Sequence, residues 1–229
     1  MQKKKVVVLT GAGISAESGI KTFRDANGLW EGHDVMAVAS PQGWMRDKEL
    51  VLDFYNQRRA QLQEVEPNAA HYALADLEKA YDVHIVTQNV DDLHERGGST
   101  QVLHLHGELK KVRSTVDPTL IYTTETAVKL GDRCEKGSQL RPHIVWFGED
   151  VPLIGAAAVL AEEADIFMII GTSMQVYPAA GLVDLVGESV PKYFIDPKPA
   201  AVNVPNLRVI EDKASTGVSN LVKQLLEQA

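Results

Sequence analysis

Short apolar runs rich in β-branched residues recur along this chain at Val6–Thr10, Val83–Thr87, Ile144–Phe147, Ile166–Ile170, Tyr193–Ile195 and Leu207–Ile210. Between them lie patterns with helical spacing: Asp47–Leu62, Asn68–Ala80, Pro152–Ala164, Pro178–Gly187 and Ala214–Glu227. Strands that alternate with helices are joined by crossovers and run parallel, with helices covering both faces of the sheet. The predicted fold class is therefore α/β: a Rossmann-like, mostly parallel, doubly wound sheet. In such sheets ligands sit beyond the carboxyl ends of the strands. Gly11–Ser15, Gln88–Asp91 and Gly171–Ser173 all fall at such ends.

Two stretches interrupt the alternation. Residues 27–62 carry no strand pattern and read as a helical insertion; Ala26–Trp30 is not read as a strand. Residues 110–141 are polar, Thr-rich and irregular, and read as a second insertion. The expected organisation is one catalytic domain over residues 1–229, with a small subdomain built from the two insertions.

A chain of 229 residues can bury a sizeable core. It holds no apolar stretch of membrane-spanning length, so no membrane association is expected. The run Val6–Leu9 after three lysines is too short for a secretory signal and gives way to a glycine turn. With Cys134 as the only cysteine, an internal disulfide is impossible and the cytoplasm is the expected compartment. The net charge of −8 argues against nucleic acid as a partner and suits a basic peptide, although it also serves plain solubility.

Gly11-x-Gly13-x-x-Ala16 follows a strand, as a dinucleotide fingerprint requires: glycines let backbone turn tightly and approach a pyrophosphate. A glycine turn without a ligand is the simpler reading of so short a pattern. A dehydrogenase would also need a second strand ending in an acid about twenty residues on. Glu31 and Asp34 lie near that distance but follow no strand pattern, and Thr22-Phe23-Arg24-Asp25 comes instead. Downstream, His104 and His106 stand two apart on a predicted short strand that Gly107 would end, leaving His106 at the rim. His104 reads as a satisfied core residue, while His106, at the rim, reads either as the same or as a general base. Gln88–Asp91 reads either as a polar turn with an Asp helix cap or as a set of ligand contacts.

Gly11-Ala12-Gly13-Ile14-Ser15, Gln88-Asn89-Val90-Asp91 and His104-Leu105-His106-Gly107-Glu108 occur in this order, each after an apolar run. Together they resemble the sirtuins, NAD-dependent protein-lysine deacylases, and the resemblance extends from Val6 to the end of the chain. It implies NAD bound by Gly11, Ala12, Gly13, Ile14 and Ser15, with Ala12, Ile14, Phe23 and Arg24 around the nicotinamide. Gly171, Thr172 and Ser173 would hold phosphate and the adenosine half, and Ala214 would lie against adenine. Asp196, where many sirtuins have Asn, would accept a hydrogen bond from a ribose hydroxyl and repel a 2′-phosphate, favouring NAD over NADP.

The resemblance also makes His106 the catalytic base. The acyl-lysine oxygen would attack the ribose as nicotinamide leaves, and His106 would take a proton through the ribose hydroxyls; the products are lysine and O-acyl-ADP-ribose. Asn89 would orient a ribose hydroxyl or water, Gln88 would contact the ribose, and Asp91 would grip the nicotinamide carboxamide. Val145-Trp146-Phe147-Gly148 resembles the substrate-binding segment, an extended edge for acyl-lysine peptides with Val145 and Trp146 along the lysine tunnel. For Ile144 a buried strand is the preferred reading.

Tyr55 and Arg58 are three apart on a predicted helix, hence on one face. As a bare pattern they simply decorate a helix. In a sirtuin, Tyr-x-x-Arg marks the subgroup that removes succinyl, malonyl and glutaryl groups, with acetyl removed more weakly, and the small Ala16 widens the acyl pocket. Arg59 is expected to point elsewhere. The four zinc cysteines of most sirtuins are missing: Ser114 stands at the first position and only Cys134 remains, with Asp132, Glu135 and His143 as poor substitutes. No zinc is expected, and Val116, Leu120, Ile121, Val128 and Leu130 are expected to hold the insertion. Monomer is the expected state. Competing readings are a sirtuin-like ADP-ribosyltransferase, a nicotinamide dehydrogenase and a non-catalytic NAD sensor.

Overall fold

The computed structural model describes residues 3–21 and 29–229. Strand β1 (Lys5–Thr10) runs into two 3-10 turns, Ala12–Ile14 and Ala16–Ser18. A hairpin of two-residue strands follows, β2 (Leu29–Trp30) and β3 (His33–Asp34), and then helices α1 (Val35–Val38), α2 (Pro41–Arg46), α3 (Lys48–Gln61) and α4 (Ala69–Leu77). Next come β4 (Asp82–Thr87), the short helix α5 (Leu93–Arg96) and β5 (Val102–His104). The second insertion supplies β6 (Gly107–Ser114), β7 (Ile121–Thr123) and β8 (Leu140–Ile144). The chain closes with α6 (Ile154–Glu162), β9 (Ile166–Ile170), a 3-10 helix (Ala179–Leu185), β10 (Lys192–Ile195), β11 (Leu207–Ile210) and α7 (Ala214–Leu226).

Six strands form the main sheet in the order β11-β10-β9-β1-β4-β5, every pair parallel. Counted along the chain and read from the β5 edge, that order is 3-2-1-4-5-6, the doubly wound dinucleotide-binding topology, with its switch point between β1 and β9. The predicted Rossmann-like class is what the chain adopts. Period-two alternation assigns the faces: Val6, Val8, Ile85 and Met168 pack under α4 and α7, while Val7, Leu9, Phe167 and Ile169 pack under α6 and the long 3-10 helix. β9 is buried at all five positions, as a central parallel strand must be.

The structure departs from the expected elements at three places. First, the sixth strand is Val102–His104 rather than Ile144–Phe147. Ile144 ends β8, opposite Gly107, and the chain turns at once: the Glu149 carboxylate accepts from Trp146 N (2.9 Å) and Gly148 takes φ +90°. Second, His104 and His106 do not share a strand, because β5 stops at His104 and Gly107 opens β6. Third, neither insertion lacks strands. Leu29–Trp30 pairs in the hairpin, and residues 107–144 form an antiparallel sheet ordered β7-β6-β8. The irregular pattern of β6 reflects its setting: Leu109, Val112 and Ser114 are buried between charged residues.

Of the apolar residues expected to hold the second insertion, most do not. Val116 (66% exposed), Ile121 (43%) and Leu130 (53%) face outward, and of the five only Val128 is buried. Leu109, Val112, Val128, Ile144 and Trp146 instead join α1, α2 and α3 in one apolar cluster. Arg59 fastens it: Nε donates to Leu109 O (2.9 Å) and Nη1 to Thr126 O (3.3 Å), so this residue does point away from Arg58. On β8, Arg141 donates to both Glu149 oxygens (2.6 and 3.1 Å) and lies 3.3 Å over the Trp146 ring.

Helix α4 starts at a capping box, in which Asn68 Oδ1 accepts from Ala70 N and His71 Nδ1 accepts from Asn68 N. His71 and His94 lie buried with ring centroids 5.0 Å apart. Burial lowers the pKa of both, that of His71 from 6.5 to about 4. The unfolded chain therefore takes up these protons first, so their stabilisation is present above pH 6.5 and is lost as pH falls toward 4. For His71 this amounts to about 2 kcal/mol between roughly pH 7 and 5. His104, whose pKa is raised, acts oppositely, since its stabilisation is complete at low pH and fades as pH rises through its folded value. We predict that denaturant unfolding of His71→Gln, which keeps an acceptor for the cap, shows a loss between these pH values smaller by about that amount. An identical loss in both proteins would contradict the assignment.

Candidate active site

The two strand-end turns at the switch point touch directly. Gly11 N donates to Ile170 O (3.0 Å) and Gly13 N to Gly171 O (2.8 Å). A Cβ on Gly13 would lie 2.6 Å from Gly171 Cα, and Gly171 itself takes φ +62° with Ile14 N 2.3 Å from where its own Cβ would stand. Glycine is therefore a steric necessity at both turns. Asn68 ties this corner to α4, donating to Ile14 O (2.8 Å) and Ser18 Oγ (3.0 Å). The Ile14 side chain is fully buried in the apolar layer, so its backbone is the part a ligand can meet. Ala12 is half-buried, Ala16 exposed, and Phe23 and Arg24 lie outside the described residues.

Beyond β4 the Gln88–Asp91 segment folds against this turn. Asn89 Nδ2 donates to Gly11 O (3.1 Å) and Ser15 Oγ (3.2 Å), and Ser15 Oγ donates to Asp91 Oδ2 (3.0 Å). Burial raises the Asp91 pKa to about 6, against hydrogen bonds from Leu93 N and Ser15 that lower it. Gln88 Nε2 reaches across to Thr172 Oγ1 (3.2 Å), linking the ends of β4 and β9. Ser173 is half-buried beside it. At the end of β10, buried Asp196 accepts from Lys198 N (2.8 Å), and Ala214 opens α7 in the core.

The two histidines are sorted by their partners. His106 Nδ1 stands 3.1 Å from Gln88 O; a carbonyl only accepts, so Nδ1 carries the hydrogen and Nε2 is left with its lone pair. Burial lowers the His106 pKa, outweighing that hydrogen bond, and keeps the ring a neutral base near pH 7. His104 faces acceptors on both sides, Asn89 O at 3.1 Å and Glu95 Oε1 at 2.7 Å. Burial opposes its charged form, but the hydrogen bond and charge of Glu95 prevail and raise its pKa. His104 is thus a clamp on the Asn89 backbone. Glu95 went unread because a contact across nine residues leaves no sequence pattern.

Val145 N donates to His106 O (2.9 Å), so the predicted peptide-binding segment starts against His106. Trp146 is buried, Phe147 is 43% exposed, and Gly148 is exposed at the turn. Tyr55 is also fully buried. Its oxygen accepts from Trp146 Nε1 (3.0 Å), which leaves its O–H as a donor, and burial pushes its pKa up. Arg58 lines a small cavity, about 40 Å³, with Ile20, Trp30, Glu31, Val90 and Asp91. Neither Tyr55 nor Ala16 lines that cavity, so the three predicted acyl-pocket residues are not brought to one wall. Asp34 caps α1, accepting from Met36 N (3.0 Å).

At the position of the missing cysteines, Ser114, Cys134 and Ser138 form a small polar cluster: the two hydroxyls are 2.9 Å apart, and the thiol is 3.4 and 3.2 Å from them. Asp132 accepts from Lys129 N, and among the described residues no three His, Cys, Asp or Glu side chains stand where they could share a metal ion. One thiol and two hydroxyls do not fit a structural zinc.

A glycine cradle at the switch point of a 3-2-1-4-5-6 sheet, beside a histidine with a free lone pair, defines a dinucleotide-binding α/β enzyme fold. The Sir2 family model matches residues 11–178, and the chain belongs to that family. It is 58% identical over 227 residues to a Helicobacter pylori NAD-dependent protein deacylase, covering 99% of each chain. A protein of the same description from Bacteroides thetaiotaomicron is 54% identical, with 97% of this chain and 98% of that one covered. Among solved structures, a Sir2 homolog–NAD complex superposes with TM-score 0.89 at 39% identity, over 99% of this chain and 91% of that one. A Sir2 mutant with a p53 peptide and NAD gives TM-score 0.78 at 28% identity, over 99% and 93%. Among the described residues no helix is long and apolar enough to cross a membrane.

Proposed function

We propose that this chain is an NAD-dependent protein-lysine deacylase whose catalytic base is His106. The observation that carries the reading is the Nδ1–Gln88 bond, which leaves Nε2 of a neutral ring as proton acceptor next to the glycine cradle. The cradle of Gly11, Gly13 and Gly171 fits NAD, whose glycosidic bond supplies the leaving group when it is bound. Asn89, held by Gly11 and His104, orients a hydroxyl or water; Asp91 and Ser15 offer polar contacts at the nicotinamide end; Gln88 and Thr172 close the ribose side. The edge from Val145 to Gly148 receives the acyl-lysine peptide. Release of nicotinamide that depends on an acyl-lysine peptide, one per lysine freed, is the test, and release without peptide would count against it.

The acyl group we assign is acidic, succinyl or malonyl, with acetyl processed more weakly. Arg58 supports this: its Nε and Nη1 are buried without a hydrogen-bond partner, in a cavity that the charged Lys21, Glu31 and Asp91 share with apolar side chains. A buried cation with unfilled donors suits a carboxylate. Tyr55 does not line this cavity, so the assignment rests on Arg58.

We also propose that the protein works without zinc. Purified protein is expected to contain less than stoichiometric metal by elemental analysis, with chelator changing neither melting temperature nor turnover. One tightly bound zinc per chain would refute this.

A further inference from the structure

Glu31 has no role in the reaction as read above, yet its carboxylate stands in the same cavity between two cations. Oε1 lies 3.3 Å from Arg58 Nη1 and Oε2 lies 3.2 Å from Lys21 Nζ. The cations differ in setting: the Arg58 side chain is 14% exposed and that of Lys21 is 73% exposed. Glu31 occupies the β2–β3 turn at φ +49°, a left-handed conformation that costs a non-glycine residue energy and aims this side chain inward, where it is 12% exposed. Its contact with Arg58 is close enough for charge attraction but is not aligned as a hydrogen bond, since Nη1 and Nε lack hydrogen-bond partners. The guanidinium also sits 5.3 Å over the Phe54 ring, a second contact that does not involve Glu31.

We infer that Glu31 is a displaceable internal counter-ion of Arg58, which an acidic acyl group must replace and a neutral one leaves in place. The inference rests on the assignment of Arg58 to the acyl carboxylate. A buried guanidinium alone would be costly, so an enzyme that also accepts neutral acyl groups gains from an internal partner. An incoming carboxylate that meets Arg58 in line forms the stronger, charge-assisted pair. Glu31 then swings toward solvent and keeps Lys21, so its charge is never left unpaired. Glu31 thereby narrows the gap between acidic and neutral acyl groups, and Lys21 eases the exchange.

The test is the ratio of KM for succinyl-lysine to KM for acetyl-lysine on one peptide sequence, in wild type, Glu31→Gln, Lys21→Met, the double variant and Arg58→Met. Removing the competitor in Glu31→Gln is expected to lower the ratio by roughly three- to tenfold. Lys21→Met, which strands Glu31 on Arg58, is expected to raise it, and to do nothing once Glu31 is glutamine. An unchanged or higher ratio in Glu31→Gln, or a Lys21→Met effect that ignores residue 31, would overturn the inference; if Glu31→Gln fails to fold, Lys21→Met decides by whether it raises the ratio. If Arg58→Met depresses both substrates equally, the acyl-pocket reading fails and takes this inference with it. If Arg58→Met is selective while the Glu31→Gln ratio stays flat, the inference alone fails.

Discussion

Replacing His106 with alanine is expected to lower kcat for deacylation by roughly 10²–10⁴-fold while NAD still binds within a few-fold of wild-type affinity. The loss comes from the proton acceptor alone, because the cradle contacts at Gly11, Gly13 and Gly171 are backbone and do not involve His106. The wild-type profile should fall on the acid side below the usual imidazole value of 6.5, since burial lowers the His106 pKa and the neutral ring is the active form. Calorimetric NAD binding alongside steady-state turnover separates the two effects. Full turnover in the variant, or loss of NAD binding in step with activity, would sink the assignment.

Arg58→Met is expected to reduce kcat/KM for a succinyl-lysine peptide by about one to two decades more than for the acetyl-lysine peptide. Methionine keeps the apolar stem and removes the charged fork, so a carboxylate entering the cavity loses the buried cation it would pair with. An acetyl group never used that donor. Tyr55→Phe should cost less: it deletes one hydroxyl, although it also removes the acceptor for Trp146 Nε1 and so disturbs the wall that Arg141 covers. Competition assays with the two peptides mixed measure the ratio directly. Equal losses would return Tyr55 and Arg58 to ordinary helix residues.

What could be read from the residues divides along physical lines. Runs such as Ile166–Ile170, buried on both faces, are apolar at every position and declare a central strand. The glycine turn and Gly171 are legible because the close approach of two backbones admits no side chain. Val102–His104 escaped because three residues on a half-covered sheet edge carry no period. The β7-β6-β8 sheet escaped because polar groups hold much of it: Arg141–Glu149, Ser114–Ser138 and Arg59 take places where apolar side chains were expected. In the site, Gly107 marked His106 as the rim histidine, but what holds each ring could not be read from spacing. Their difference lies in Glu95 and in the carbonyls of Gln88 and Asn89, partners that only the folded chain assembles.

Under the proposed function this site transfers an acyl group from lysine to the ADP-ribose of NAD, with His106 as base. Mass spectrometry of one reaction containing the protein, NAD and a succinyl-lysine peptide tests it most directly. The expected result is free lysine, nicotinamide and O-succinyl-ADP-ribose in equal amounts, with free lysine and O-succinyl-ADP-ribose formed roughly 10²–10⁴-fold more slowly by His106→Ala. Intact acyl-peptide after prolonged incubation, ADP-ribose attached to protein, or reduced NAD in place of nicotinamide would contradict it.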